Sequence, residues 1–289
     1  LLNQIIETKT MRTMNFKKFG IIAIVLGLIS FGFKPAPERI TVKGSDTMVI
    51  LVQKWAEVYM KSNPDAAIQV TGGGSGTGIS ALINGATDIA ISSRKMKATE
   101  MEKMKSKYNT MGVEIACAKD GITVYLHPSN KVKELTMQQL KLIFRGEIKN
   151  WKEVGGADKN IKLYGRENSS GTYVFFQEHV VEGDYAPSCQ TLPGTAAVVN
   201  AVKKDENGIG YGGAAYAEGI VICKVKKDEM SQGVLASAET IKNDQYPISR
   251  YLFMYTKNRP TGQLKKFIDW ILSPEGQKYV VEMGYFPVK

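Results

Sequence analysis

The octapeptide Gly165-Arg166-Glu167-Asn168-Ser169-Ser170-Gly171-Thr172 places a guanidinium, several hydroxyls and a glycine just ahead of an apolar run, Tyr173 to Val181. That combination suits an oxyanion. The first N–H groups of a helix have no intrahelical partner and lie at the positive end of its dipole, and Ser or Thr hydroxyls add further donors. Arginine adds a permanently charged planar fork that matches the oxygens of a tetrahedral anion. A single such turn is equally what an ordinary N-cap looks like, because Ser and Thr are favoured there. Recurrence separates the two readings. Gly44-Ser45-Asp46-Thr47 and Gly72-Gly73-Gly74-Ser75-Gly76-Thr77-Gly78 repeat the pattern, and Ser92-Ser93-Arg94 adds a further hydroxyl-rich turn with a second arginine.

Each turn follows a strand-like segment: Ile40-Thr41-Val42-Lys43, Ala67-Ile68-Gln69-Val70, Asp88-Ile89-Ala90-Ile91 and Ile161-Lys162-Leu163-Tyr164. Helical spacing follows the first two, through Met48, Leu51, Val52, Trp55, Val58 and Tyr59, and through Ile79, Leu82, Ile83 and Ala86. The alternation of strand and helix from Ile40 onward predicts an α/β fold. In open α/β sheets the strand ends that carry ligand-binding turns gather on one side. Further along, Gly112 to Ala118 and Gly121 to Leu126 read as two apolar runs separated by Lys119-Asp120. Thr136 is placed to cap a helix through Met137, Leu140, Ile143 and Phe144, closed at Arg145-Gly146. Leu264, Phe267, Ile268, Ile271 and Leu272 mark an amphipathic helix, and Ser273-Pro274-Glu275 starts another.

Residues 1–37 read as a leader rather than as part of the fold. Met14-Asn15-Phe16-Lys17-Lys18 is a basic start, and Phe19 to Phe33 is an apolar run of 15 residues, short for a membrane span. The competing reading is an uncleaved anchor. Residues ahead of Met11 or Met14 read as upstream translated sequence, and cleavage is expected around Phe33 to Pro37. Removing the leader lowers the formal charge from +10 to +6, a basic balance that permits an anionic ligand without identifying it. About 250 residues remain, enough for two modest domains or one large one.

Other chemistries lack their residues. The glycine cluster at 72–78 has no following lysine and does not fit a P-loop or a dinucleotide fingerprint, and no Gly-x-Ser-x-Gly elbow occurs. His127 and His179 are isolated, so neither a metal nor another cofactor is expected. Cys117, Cys189 and Cys223 are odd in number and widely spaced, which offers no disulfide framework. No run of five or six like charges and no RNA-binding motif points to nucleic acid.

The order Gly44-Ser45-Asp46-Thr47, Gly74 to Gly78, Asp88 to Arg94, Arg166 with Ser170-Gly171-Thr172, then Tyr246-Pro247-Ile248-Ser249-Arg250 resembles the phosphate-binding proteins of bacterial phosphate ABC transporters. The match spans residues 40–289. What the resemblance implies is a two-lobed periplasmic-binding-protein type II fold with two hinge crossings, near Ala116 to Lys119 and near Arg250. Lobe one would be 38–118 plus 250–289, and lobe two 119–249. It implies a monomeric capture protein and not an enzyme, secreted to the periplasm or cell surface, which delivers inorganic phosphate to membrane ABC permease subunits. Carried over by position, the ligand residues are Ser45, Asp46, Thr47, Ser75, Ser92, Ser93, Arg94, Arg166, Ser170, Gly171 and Thr172. In one branch of that family an aspartate accepts the phosphate proton at the position where this chain has Ser93. Asp46 is the substitute candidate, against its alternative as a helix N-cap. Arg94 is either a second ligand cation or the partner of Asp46 or another lobe-one carboxylate. The alternatives are sulfate or molybdate on the same fold, a phosphate-ester hydrolase, or an interaction protein using its basic surface.

Overall fold

The computed structural model describes residues 38–288, so the expected leader over 1–37 lies outside the described residues. The first part of the chain runs β1 (Glu38–Gly44), α1 (Asp46–Ser62), β2 (Ala66–Thr71), α2 (Ser75–Asn84), β3 (Ile89–Ser92), α3 (Ala98–Tyr108) and β4 (Val113–Leu126). Next come β5 (Glu134–Thr136), α4 (Met137–Phe144), β6 (Lys162–Arg166), α5 (Gly171–Phe176), β7 (Gln190–Leu192), α6 (Thr195–Lys204), β8 (Gly208–Gly213), β9 (Val221–Lys226) and α7 (Ala238–Lys242). The chain closes with β10 (Ser249–Thr256), α8 (Gly262–Leu272) and α9 (Pro274–Glu282).

Strand order is β2-β1-β3-β10-β4-β8-β6-β7, with β9 pairing β4 and β5. β1 is parallel to both β2 and β3, so the turns after these three strands emerge on one side, as the sequence predicts. All four residues of β3 are buried, with Ile89, Ala90 and Ile91 apolar and Ser92 polar, in a strand that pairs parallel with β1 and antiparallel with β10. β6 is parallel to β7 and β8, and its own carboxyl end delivers Arg166.

The two larger of four hydrophobic clusters lie one in each lobe. One gathers Ile40, Val42, Trp55, Ile91, Leu252 and Phe267, with Trp55 Nε1 donating to Gly276 O at 2.8 Å. The other is built on Val124, Phe144, Trp151, Phe176 and Tyr211, where Phe176 stacks on Tyr211 at 4.0 Å and Phe144 meets both edge-on. β4 belongs to both. Its first half pairs with β10, from Thr256↔Val113 to Ser249↔Gly121, and its second half with β8.

The two apolar runs expected around Lys119-Asp120 are therefore one continuous strand. A charged pair inside a strand reads as a break only while its partner is unknown, and Arg250 of β10 stands opposite Asp120. The helix expected from Tyr173 to Val181 is α5 followed by a π-turn over Gln177–Val181. Caps follow the sequence. Thr136 Oγ1 accepts from Gln139 N, and Ser273 Oγ accepts from Gly276 N.

Close packing fixes where α2 begins. A Cβ on Gly78 would lie 2.4 Å from Lys43 O and 2.5 Å from Gly44 Cα, so the helix rests directly on the end of β1. Gly78→Ala is expected to destabilise the fold by about 1–3 kcal/mol through overpacking, read as a lowered urea midpoint at unchanged slope.

Candidate functional site

Three turns and one helix start converge where the lobes meet. Ser45 precedes α1, Ser75 opens α2, Ser93 follows β3, and Gly171 and Thr172 open α5 from the other lobe. Ser45 Oγ donates to Ser93 Oγ at 3.0 Å, Ser75 Oγ lies 3.3 Å from Ser93 Oγ, and Ser93 N donates to Ser75 Oγ at 3.0 Å. Across the lobes, Thr47 Oγ1 and Thr172 Oγ1 share a hydrogen bond of 2.8 Å. All five of these hydroxyl residues are buried. The lobes touch closely here, since a Cβ on Gly171 would lie 2.3 Å from Ser75 Oγ and 2.6 Å from Ser93 Oγ. Gly76 N also donates across to Ser169 O at 2.9 Å. Ser170 caps α5, its Oγ accepting from Thr172 N and Tyr173 N.

Asp46 and Arg166 form a second interlobe contact beside this cluster. Asp46 is the first residue of α1 and not its cap; Ser45 holds the cap position. One Asp46 oxygen accepts from Gly73 N at 2.8 Å and the other from Arg166 Nη2 at 2.8 Å. Arg166, 1 % exposed, also donates through Nε and Nη2 to Glu167 and through Nη1 to Thr195 Oγ1. Of its five N–H donors, four are engaged.

Two expected residues stand apart from the cluster. Ser92 Oγ donates to Arg94 O and accepts from Arg94 N, which shapes its own turn. Arg94 binds Glu100 with two hydrogen bonds, at 2.8 and 2.7 Å, so of its two sequence readings the geometry gives the lobe-one carboxylate partner, with Glu100 in place of Asp46. Burial pushes the Glu100 carboxyl up, and the Arg94 contacts outweigh it and hold the group below its ordinary value.

One charged pair escaped the sequence reading. Arg250 and Asp120 face each other on β10 and β4, both buried, with Arg250 Nη2 donating to Asp120 Oδ2 at 2.9 Å and to Thr172 Oγ1 at 2.9 Å. Arg250 thus reaches the hydroxyl cluster directly. Removing one member of such a buried pair strands the other at a cost of about 3–5 kcal/mol. The available signal is an acid between two apolar runs and an arginine at the end of the Tyr246 to Arg250 motif.

Cys117, Cys189 and Cys223 are unbridged, and burial pushes their thiols up, to about 12, 11 and 12. Among the described residues no group of His, Cys, Asp and Glu is arranged to hold a metal ion, and no helix is long and apolar enough to cross a membrane.

Two lobes sharing two paired strands, with buried donors converging between them, define a solute-binding protein. A family model described as the PBP superfamily domain matches residues 33–275. The chain is 35% identical over 263 residues to the phosphate-binding protein PstS of Pseudomonas aeruginosa, covering 85% of this chain and 81% of that one. It is 36% identical over 258 residues to the PstS of Bacillus subtilis, covering 89% and 83%. Among solved structures, a putative phosphate ABC transporter substrate-binding protein with bound phosphate from Clostridium perfringens superposes with a TM-score of 0.80 at 32% identity, covering 87% of this chain and all of that one. An ABC-type phosphate transport receptor from Vibrio cholerae gives 0.68 at 27% identity, covering 86% and 99%. The chain belongs to the phosphate-binding protein family within the PBP superfamily.

The Arg166 contacts make one pH dependence testable. Burial pushes the Glu167 carboxyl up, but Arg166 more than compensates and holds it below its ordinary value of 4.5. A depressed carboxylate adds stability that is fully present above its unfolded pKa and is lost as pH falls through the folded one. Arg166→Met should therefore flatten the loss of urea stability below about pH 4.5, and an acid branch identical to wild type would contradict the pairing.

Proposed function

We propose that this protein captures inorganic phosphate between its two lobes, outside the cytoplasmic membrane, and delivers it to the permease subunits of an ABC transporter. The single observation that carries the reading is the set of buried hydroxyls where the lobes meet, with Ser45 and Ser75 both meeting Ser93 and with Thr47 meeting Thr172 across the lobes. Family membership supplies the ligand class, since the curated relatives are named phosphate-binding proteins and the Clostridium perfringens neighbour is described with bound phosphate.

An entering anion exchanges hydroxyl-to-hydroxyl bonds for hydroxyl-to-oxyanion bonds, which are stronger because the acceptor is charged. Lobe one contributes Ser45, Thr47, Ser75 and Ser93, and lobe two contributes Gly171 and Thr172 with Ser170 ordering their turn. The lobes run over 38–118 plus 250–289 and over 119–249, with β4 and β10 as the crossings. Because the two halves of the seat belong to different lobes, the ligand favours the closed state and shifts the population toward it. Arg166 and Asp46 act as a latch at the same interface, and Arg94 supports the turn after β3 through Glu100. The protein works as a monomer and binds without catalysing.

Calorimetric titration of the chain without residues 1–37 is expected to give one phosphate per molecule. Ser75→Ala should weaken that binding by about 1.5–3 kcal/mol, the scale of a hydrogen bond to a charged group. Unchanged affinity in Ser75→Ala would place the anion elsewhere.

A further inference from the structure

The buried Arg250–Asp120 pair is incompletely used by its own contacts. Arg250 Nε and Nη2 both donate to the same oxygen, Asp120 Oδ2, at 3.3 and 2.9 Å. Asp120 Oδ1 and Arg250 Nη1 are buried without any hydrogen-bond partner. Buried polar atoms are nearly always paired, and an ionised one left alone is costly.

Nearby donors are committed elsewhere. Four tyrosines lie close enough to feel the Asp120 charge. Each gives its hydroxyl proton to a backbone carbonyl: Tyr125 to Gly213, Tyr216 to Asp46, Tyr246 to Ile122 and Tyr285 to Thr47. Burial raises all four, so they stay neutral. The remaining charge near the pair, Arg166, is held by Asp46 and Glu167. The pair thus keeps one acceptor and one donor uncommitted, and it joins the hydroxyl cluster through Thr172 Oγ1. Asp120 Oδ1 and Thr47 both flank Gly213: a Cβ there would lie 3.0 Å from that oxygen and 3.3 Å from Thr47 Cγ2.

We infer that Arg250 and Asp120 hold the anion directly, Arg250 Nη1 donating to an ionised oxygen and Asp120 Oδ1 accepting the P–OH proton, so that Asp120 selects protonated oxyanions over fully ionised ones. This rests on the phosphate reading above. It also moves the acceptor role away from Asp46, whose two oxygens are taken by Gly73 N and Arg166. A carboxylate beside an anion repels it unless a proton lies between them. Phosphate brings that proton at neutral pH. Sulfate brings none, so it fits only when Asp120 itself takes a proton from solvent. Burial raises the Asp120 carboxyl and Arg250 opposes the rise, so the pH of that uptake is set by the pair.

The test is calorimetric titration of wild type and Asp120→Asn with phosphate and, separately, sulfate between pH 5.5 and 8. Wild type should bind phosphate throughout the range, and its sulfate affinity should rise by about tenfold per pH unit as pH falls. Asp120→Asn should lose roughly tenfold or more in phosphate affinity and bind sulfate independently of pH. A folded Asp120→Asn that keeps the wild-type preference overturns the assignment while leaving phosphate capture intact. Wild type that binds no phosphate overturns both. Should Asp120→Asn fail to fold by circular dichroism, the wild-type sulfate profile decides: a flat profile overturns the assignment, and a rise toward low pH supports it.

Discussion

The fold turns on one buried ion pair. Arg250 and Asp120 sit opposite each other on the two strands that both lobes share, and each is almost completely removed from solvent. Neither charge is tolerable there without the other, because desolvating an unpaired ion costs several kcal/mol even after relaxation. The pair therefore fixes the register of β10 on β4. A bulge between Leu252 and Phe253 then shifts that register before the strands enter the first lobe. Register matters because a slip by one residue sends every side chain to the opposite face. With it fixed, Arg250 meets Thr172 of one lobe, and Thr172 meets Thr47 of the other.

Around that pair the chemistry is supplied by small residues. The glycines at 74, 78 and 171 let backbone and hydroxyl groups approach at distances that a Cβ would prevent; the position next to Gly74 that a Cβ would fill lies 2.6 Å from Ser169 O. Gly74 itself has a φ of 91°, which glycine adopts at little cost. Aromatic residues hold the surroundings still. Tyr216 and Tyr285 tie their hydroxyls to the backbone carbonyls of Asp46 and Thr47, anchoring the first turn of α1 to elements far away in sequence. The result is a cluster of hydroxyls held in place by its surroundings, and on the phosphate proposal such preorganisation lowers the ordering cost of binding.

Much of this was legible in the sequence, and the reason is local. Hydroxyl-rich turns between a strand and a helix advertise themselves by residue type and spacing, so Ser45, Ser75, Ser93 and the Ser170-Gly171-Thr172 turn could be picked out directly. The α/β alternation, the Thr136 cap and the two C-terminal helices were readable for the same reason. What the sequence left open was the choice of charged partners, which only the folded chain decides. Asp120 looked like a break between strands because its compensating charge lies 130 residues away. Arg94 and Glu100 are only six residues apart, but which carboxylate Arg94 would choose depended on how α3 folds back. Asp46 looked free to meet a ligand, and Arg166, 120 residues on, engages it.

A crystal structure of the chain grown with phosphate at neutral pH tests the central claim most directly. The expected result is a phosphate within hydrogen-bond distance of Arg250 Nη1, Asp120 Oδ1 and the hydroxyls of Ser75, Ser93 and Thr172. Phosphate held at Arg94 or elsewhere in the cleft, with Asp120 Oδ1 still unpartnered, would contradict it.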